Sequence, residues 1–294
     1  MSSLDDAFRN LMQDSTASVA DVRPAGRAAA PAAKEARQAP QVPDVEPINL
    51  EKVRRIEKFS FRPVRDRSQV AEEFRILRTR LQFTELFRNS ILLTSCHHGE
   101  GKTSAAVNLA HFMAKRRGLK ILVMDLDLRR PRLSKLLGMR DKPDVGDALV
   151  GACAPEEAIW YSEEANLYAM TVHRESGDAA EKLDNPNMKV LMDRLHATFD
   201  FIVVDTCPCL STADPIVVGQ HCGGAAIIVR TRTTQRESIQ NAINQMRDAN
   251  IPTVGLILTF VKYFIPSYLY RYQYYRSYSY YYYYQREQQD KNVS

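Results

Sequence analysis

Residues 91–110 read ILLTSCHHGEGKTSAAVNLA. A short uncharged, mostly aliphatic run enters a turn that holds Gly99 and Gly101 and ends in Gly-Lys-Thr, and helix-forming residues follow at once. A strand, a glycine-containing turn and a helix in that order make a phosphate cradle, because backbone N–H groups and the helix N-terminus face the anion. Gly99 and Gly101 permit the backbone path, Lys102 is expected to reach the β- and γ-phosphates, and Thr103 to hold Mg²⁺. The nucleotide-binding set is Gly99, Glu100, Gly101, Lys102, Thr103 and Ser104, with Arg129 further on. The strict pattern G-x-x-x-x-G-K-[ST] begins with glycine, and here Cys96 stands in that place.

Outward from this stretch, apolar runs of strand length recur at 120–126 (KILVMDL), 167–172 (LYAMTV), 201–205 (FIVVD), 225–230 (AAIIVR) and 253–260 (TVGLILTF). Between several of them lie segments of helical composition, such as NMKVLMDRLHATF and RESIQNAINQMRDAN. Strands apolar on both faces that alternate with helices predict an α/β fold, a doubly wound and mostly parallel sheet covered by helices on both sides. In such folds ligands bind at the carboxyl ends of the strands. Asp125 and Asp127 fall at one such end and Asp205 at another, and Arg129 and Arg130 follow the first pair. Asp205 is the expected carboxylate that organises Mg²⁺. Thr103, Asp127 and Asp205 form the expected metal set, and Lys102, Asp125, Asp127 and Asp205 the catalytic one.

With 294 residues, 45% of them hydrophobic, the chain can bury one substantial core and leave extensions. The net charge of +5 comes from interspersed basic and acidic residues, so no global basic field of the nucleic-acid-binding kind exists, although a DNA or membrane-surface role stays open. No apolar run reaches the roughly 18 to 20 residues of a membrane span, and the first residues lack an export pattern. Five cysteines without metal-ligand or C-x-x-C spacing fit a reducing, cytoplasmic compartment.

Residues 1–19 contain Leu4, Phe8, Leu11 and Met12 at helical spacing, either a short docking helix or a frayed terminus. Residues 20–50 are rich in alanine and proline and read as a linker. In residues 72–83 an apolar face of Phe74, Leu77 and Leu81 is accompanied by Glu72, Arg75 and Arg78 at three-residue steps. That charged stripe is either a solvated face or an interface. The chain closes with a tail, residues 263–294, in which 12 of the 14 tyrosines lie between positions 263 and 284. Such a run suits a misfolding-prone β segment, a stacking surface for single-stranded nucleic acid, or a set of phosphoryl acceptors.

A phosphate loop followed by D-L-D-L-R and then by an apolar strand ending in aspartate resembles the deviant-Walker ATPases. These include partition ATPases and the bacterial tyrosine kinases. Partition-type members carry an extra lysine at the position of His97, so the likeness to them is weaker. The kinases read S-x-x-P-G-E-G-K-T, D-x-D-x-R and D-T-P-P, where this chain has S-C-H-H-G-E-G-K-T, Asp125-x-Asp127-x-Arg129 and D-T-C-P with Cys207. Their E-x-x-R-x-x-R assembly motif is matched by Glu72, Arg75 and Arg78, and an asparagine frequent after the last strand is here Thr259.

The resemblance implies residues 51–262 as a kinase domain with an N-terminal oligomerisation helix, ATP and Mg²⁺ as cofactors, and a trans-phosphorylated tail. The acceptors it implies are Tyr268, Tyr270, Tyr272, Tyr274, Tyr275, Tyr278, Tyr280, Tyr281, Tyr282, Tyr283 and Tyr284. Asp125 is then the candidate for accepting or orienting the tyrosine proton, a role Asp127 could exchange with it. The resemblance further implies a homo-oligomeric ring, octameric in the family, a membrane activator of the polysaccharide co-polymerase type that holds the chain peripherally at the inner membrane, and a cognate tyrosine phosphatase. The output is control of capsule or exopolysaccharide assembly, and no nucleic-acid partner is expected. A positioning ATPase, an ATP-binding scaffold and a nucleic-acid-binding protein with a Tyr/Arg-rich tail are the alternatives.

Overall fold

The structure, a computed structural model, describes residues 45–84, 88–116, 118–139 and 142–261. The segment 1–19, most of the linker and the tyrosine tail lie outside the described residues. The last six linker residues, 45–50, lie on the domain, where Ile48 is buried and donates its N–H to Thr198 Oγ1 at 2.7 Å.

In chain order the elements are β1 (Arg54–Ile56), α1 (Gln69–Gln82), β2 (Ser90–Ser95), α2 (Lys102–Ala114), β3 (Ile121–Asp125), α3 (Leu133–Leu137), α4 (Val145–Leu149) and β4 (Ile159–Ser162). Then follow β5 (Leu167–Met170), α5 (Ala179–Leu183), α6 (Asn187–Thr198), β6 (Phe201–Asp205), α7 (Asp214–Gly219), β7 (Ala225–Arg230), α8 (Arg236–Asp248) and β8 (Thr253–Thr259). One sheet of eight strands in the order β1-β4-β5-β3-β6-β2-β7-β8 carries them all. Every neighbouring pair is parallel except β4 with β5. This is the expected doubly wound α/β sheet.

Alternate strand residues point to opposite faces, and both faces are buried. Leu92, Leu122, Met124, Ile202 and Val204 pack on one side with Leu195 of α6 and Met246 of α8. Ile91, Leu93, Ile121, Val123 and Val203 pack on the other with Ala106, Leu109 and Ala110 of α2. α2 lies between the sheet and α1, which explains why its composition is apolar nearly all round. α1 is capped by Ser68, whose hydroxyl accepts the N–H of Ala71 at 3.2 Å, and its Phe74 stacks on Phe112 of α2 with centroids 5.6 Å apart.

The strand ends differ from the sequence reading for local reasons. β8 stops at Thr259 because Phe260 takes φ 54°, which breaks the extended backbone. β5 stops at Met170, and the carbonyl of Thr171 instead accepts the N–H of Val145. β1 and β4 were not expected. They are three and four residues long, pair in parallel with each other, and place Arg54 over the Trp160 ring at 4.6 Å. Trp160 and Tyr161 accordingly serve packing. Among the described residues no helix is long and apolar enough to cross a membrane.

Candidate active site

β2 delivers the chain into the glycine turn, and α2 begins immediately after it. Gly99 (φ 78°) and Gly101 (φ 92°) hold left-handed conformations that suit residues without a Cβ. Gly101 is the N-cap of α2 and offers no side chain to the first-turn N–H groups, so Lys102, Thr103 and Ser104 begin a thirteen-residue helix whose positive end is open. An uncapped helix start beside a lysine favours phosphate oxygens.

The loop is braced from within. Lys102 is 7% exposed, and its Nζ donates to Ser95 Oγ at 3.0 Å, while Ser95 Oγ donates to the His97 carbonyl at 2.8 Å. Glu100, expected simply to lie in the nucleotide-binding set, is buried and acts as a strut. One carboxylate oxygen accepts the His97 N–H at 3.1 Å and the other accepts the hydroxyl of Thr234. Its carbonyl accepts Thr259 Oγ1 at 2.7 Å. Thr259, at the end of β8, thus holds the loop where the resemblance had placed an asparagine. Cys96 fills the place of the first glycine, fully buried, with its thiol pushed up to about 12, chiefly by burial. It is an uncharged packing group. His97 Nε2 lies 3.3 Å from Ser238 Oγ, and His98 is exposed, its basicity lowered by desolvation and by the charge of Arg130.

The three aspartates converge because β3 and β6 are neighbours with Asp125 directly opposite Asp205. Their environments differ. Asp205 is buried, has one carboxylate oxygen without a hydrogen-bond partner, and is hydrogen-bonded to Thr103. Burial raises its pKa to about 7 against the opposing effects of Thr103 and Lys102. An orphaned buried carboxylate oxygen beside a helix-start hydroxyl fits a hard cation that takes oxygen ligands and keeps phosphate and water in its shell.

Asp125, expected to meet the acceptor's proton, is fully buried, and both its oxygens are engaged. Oδ1 accepts the N–H of Asp127 at 2.9 Å and Oδ2 that of Leu133 at 3.1 Å. Desolvation, followed by the charge of Asp205, holds its pKa well above the ordinary carboxylate range. Its oxygens shape the β3–α3 turn. Asp127 is half-buried, and its Oδ1 accepts the N–H of Arg130 at 3.0 Å.

Arg129, assigned from sequence to phosphate, forms a two-pronged pair with Asp214, Nε to Oδ2 at 2.6 Å and Nη2 to Oδ1 at 3.1 Å. Asp214, 4% exposed at the first turn of α7, was not anticipated. Its only sequence signal is the Asp-Pro pair at a helix start. Cys207, in place of a proline, is buried with Sγ 2.9 Å from Thr212 Oγ1, and burial pushes its thiol up to about 12.

The expected assembly residues lie on α1. Arg75 pairs with Glu72 at 2.8 Å and donates to the Asp66 carbonyl at 2.8 Å, and Arg78 donates to the Phe112 carbonyl at 3.1 Å. Within one chain both arginines therefore tie α1 to its surroundings. The expected acceptors Tyr268 to Tyr284 lie outside the described residues.

Comparison with known proteins agrees with this architecture. The family described as ParA, NUBPL iron-transfer P-loop NTPase, matches residues 87–286. Tyrosine-protein kinase YwqD of Bacillus subtilis (strain 168) is 28% identical over 190 residues, covering 64% of this chain and 80% of that protein. Putative tyrosine-protein kinase EpsB of Ralstonia solanacearum is 30% identical over 188 residues, 63% of this chain but only 25% of that protein. The kinase domain of Escherichia coli tyrosine kinase ETK has the same fold, with a TM-score of 0.65 at 23% identity over 76% of this chain and 90% of that domain. The chain belongs to the ParA family of P-loop NTPases, and its relatives include proteins named as bacterial tyrosine kinases.

Proposed function

We propose that this protein is an ATP-dependent protein-tyrosine kinase that phosphorylates the tyrosine cluster of neighbouring copies. The observation that carries the reading is the meeting of an uncapped helix start, a buried lysine and an orphaned buried carboxylate at the carboxyl ends of β2 and β6. That trio matches what phosphoryl transfer asks of a protein, which is positioning and neutralisation of charge. The names of the homologues and the twelve tyrosines that follow the domain support tyrosine as the acceptor.

Lys102 and the loop N–H groups bind the β- and γ-phosphates, and Glu100, held by Thr234 and Thr259, keeps the loop open for them. Thr103 and Asp205 would hold Mg²⁺, which when bound screens the phosphate charge and makes the terminal phosphorus electrophilic. Asp127, the half-buried member of the strand-end pair, orients the tyrosine hydroxyl and takes its proton, while buried Asp125 keeps the turn beneath it in shape. Arg129 fixes that turn to α7 through Asp214.

Tethering supplies the acceptor at high effective concentration, so little dedicated peptide-binding surface is needed. Assembly through Glu72, Arg75 and Arg78 into a closed ring would bring one copy's tail to the next copy's site, a head-to-tail contact that rotation closes. From residue 262 to 294 five basic residues and two acidic ones give +3, and each phosphate adds about −1.5 to −2, so two or three reverse the sign. Repulsion between modified tails then loosens the assembly. From the family resemblance alone we infer a polysaccharide co-polymerase-type membrane partner and a cognate phosphatase, at the inner face of the membrane, in capsule or exopolysaccharide assembly.

The direct test is transfer of γ-phosphate label from ATP to protein tyrosine with and without Mg²⁺. Labelling in the wild type that disappears with chelator and in Lys102→Ala supports the reading. Nucleotide hydrolysis without any phosphotyrosine would favour a positioning ATPase instead.

A further inference from the structure

β8 is an edge of the sheet, and among the described residues its outer rim of backbone N–H and C=O groups meets no other strand. From Ile251 to Val261 there is no charged residue, and Leu256, Leu258 and Phe260 are 44%, 57% and 56% exposed. Edge strands are normally blunted by charge, proline or a bulge. β8 has such devices only at its start, where Pro252 precedes it and Val254 bulges between the pairs Ala225 with Thr253 and Ala226 with Gly255. From Gly255 to Thr259 it runs in unbroken register with β7. This stretch is a template for one more strand.

The chain itself continues beyond it. Thirty-three residues, 262–294, follow Val261, and residues 268–274 read YLYRYQY. Tyrosine at every second position is the strict two-residue period of a strand, in a residue type that strands favour. Eight residues separate Thr259 from Tyr268, with Phe260 already in a left-handed turn conformation and Pro266 just before the alternating run. That length suffices for reversal onto the adjoining edge.

We propose that residues 268–274 of the chain's own tail dock on the β8 edge as an antiparallel ninth strand, with the tyrosine rings over Leu256 and Leu258. Main-chain bonds to the open rim supply the affinity, and the alternating rings cover the exposed aliphatic face. Direction gives the contact a consequence. β8 ends at the phosphate loop, where Thr259 holds the Glu100 carbonyl. An antiparallel return leads away from that loop, by about 20 Å over six residues at about 3.3 Å each. Docked tyrosines are therefore stored away from the chain's own phosphate site. The storage role rests on the proposed kinase activity, whereas the docking does not.

Hydrogen exchange followed by mass spectrometry on the full-length, phosphatase-treated chain without nucleotide tests the docking. Amides of residues 255–259 and 268–274 are expected to exchange at least tenfold more slowly than an unpaired peptide. Tyr270→Pro with Arg271→Pro, which removes one N–H from each side of the docked strand whatever its register, should release both segments while β2 and β6 keep their protection. If residues 268–274 exchange freely in the wild type, the proposal fails. It fails equally if β8 stays protected in the double-proline chain, since a second copy or another segment then covers the edge. No arm uses ATP, so an inactive enzyme leaves the test intact.

Discussion

Asp125 and Asp127 are separated by one residue in the chain and by their solvent access in the fold. Asp125 is fully buried with two N–H groups on its oxygens, and Asp127 is half-buried beside it. Removing a carboxylate that satisfies buried donors costs roughly 1–3 kcal/mol for each donor left unpaired. Asp125→Ala should therefore lower the unfolding midpoint strongly. Asp127→Ala should leave the midpoint nearly unchanged while kcat for tyrosine labelling falls about 10²- to 10⁴-fold, the usual contribution of a positioned acid or base. Thermal melts and single-turnover labelling of the two variants separate these roles, and a thermally silent Asp125→Ala with lost activity would return the proton to Asp125. The sequence placed both aspartates at a strand end but gave no means of ranking them. Their difference arises from the turn to Leu133, a contact that exists only once the chain has folded.

Among elements, α6 is tied to β2 through a histidine. His196 Nε2 lies 2.9 Å from Ser90 Oγ, and Arg88 reaches Nδ1 at 3.4 Å while pairing with buried Asp193 at 2.7 Å. Burial, and then the charge of Arg88, lowers the imidazole pKa to about 4. The folded state thus prefers neutral His196, whereas the unfolded chain binds its proton near the ordinary value of about 6.5. Stability is fully present above about pH 6.5 and falls as the pH drops towards 4, by up to about 3 kcal/mol at about 1.4 kcal/mol per pKa unit. Denaturant melts between pH 7 and 4.5 should show this slope in the wild type and a shallower one in His196→Gln. Equal slopes would mean that His196 does not titrate in this way. At this scale the sequence was readable where elements are long and periodic, as in α2, α6, α8 and the central strands. It was silent on β1 and β4, whose few residues exist through pairing and through Arg54 on Trp160. It was silent too on the struts Glu100–Thr234 and Arg129–Asp214, which join residues 134 and 85 positions apart.

At the scale of the whole molecule, a phosphate site and a tyrosine-rich tail share one chain, and the last strand links them. The phosphate loop is braced by Thr259, and the tail begins a few residues later. In the proposed kinase, a chain built in this way would bring its acceptors to every copy it meets, and assembly would govern which site they reach. Arginines on α1 that also hold α2 couple any interface there to the helix carrying Lys102, Thr103 and Ser104.

The most direct test of this account is site-resolved phosphotyrosine mass spectrometry on a mixture of active protein and isotopically marked Lys102→Ala protein, incubated with Mg-ATP. Phosphate on tyrosines 263–284 of the marked, inactive chain is the predicted result and establishes transfer between copies. Phosphate confined to the active chain would contradict the transfer between copies, and none on either chain would contradict the kinase itself.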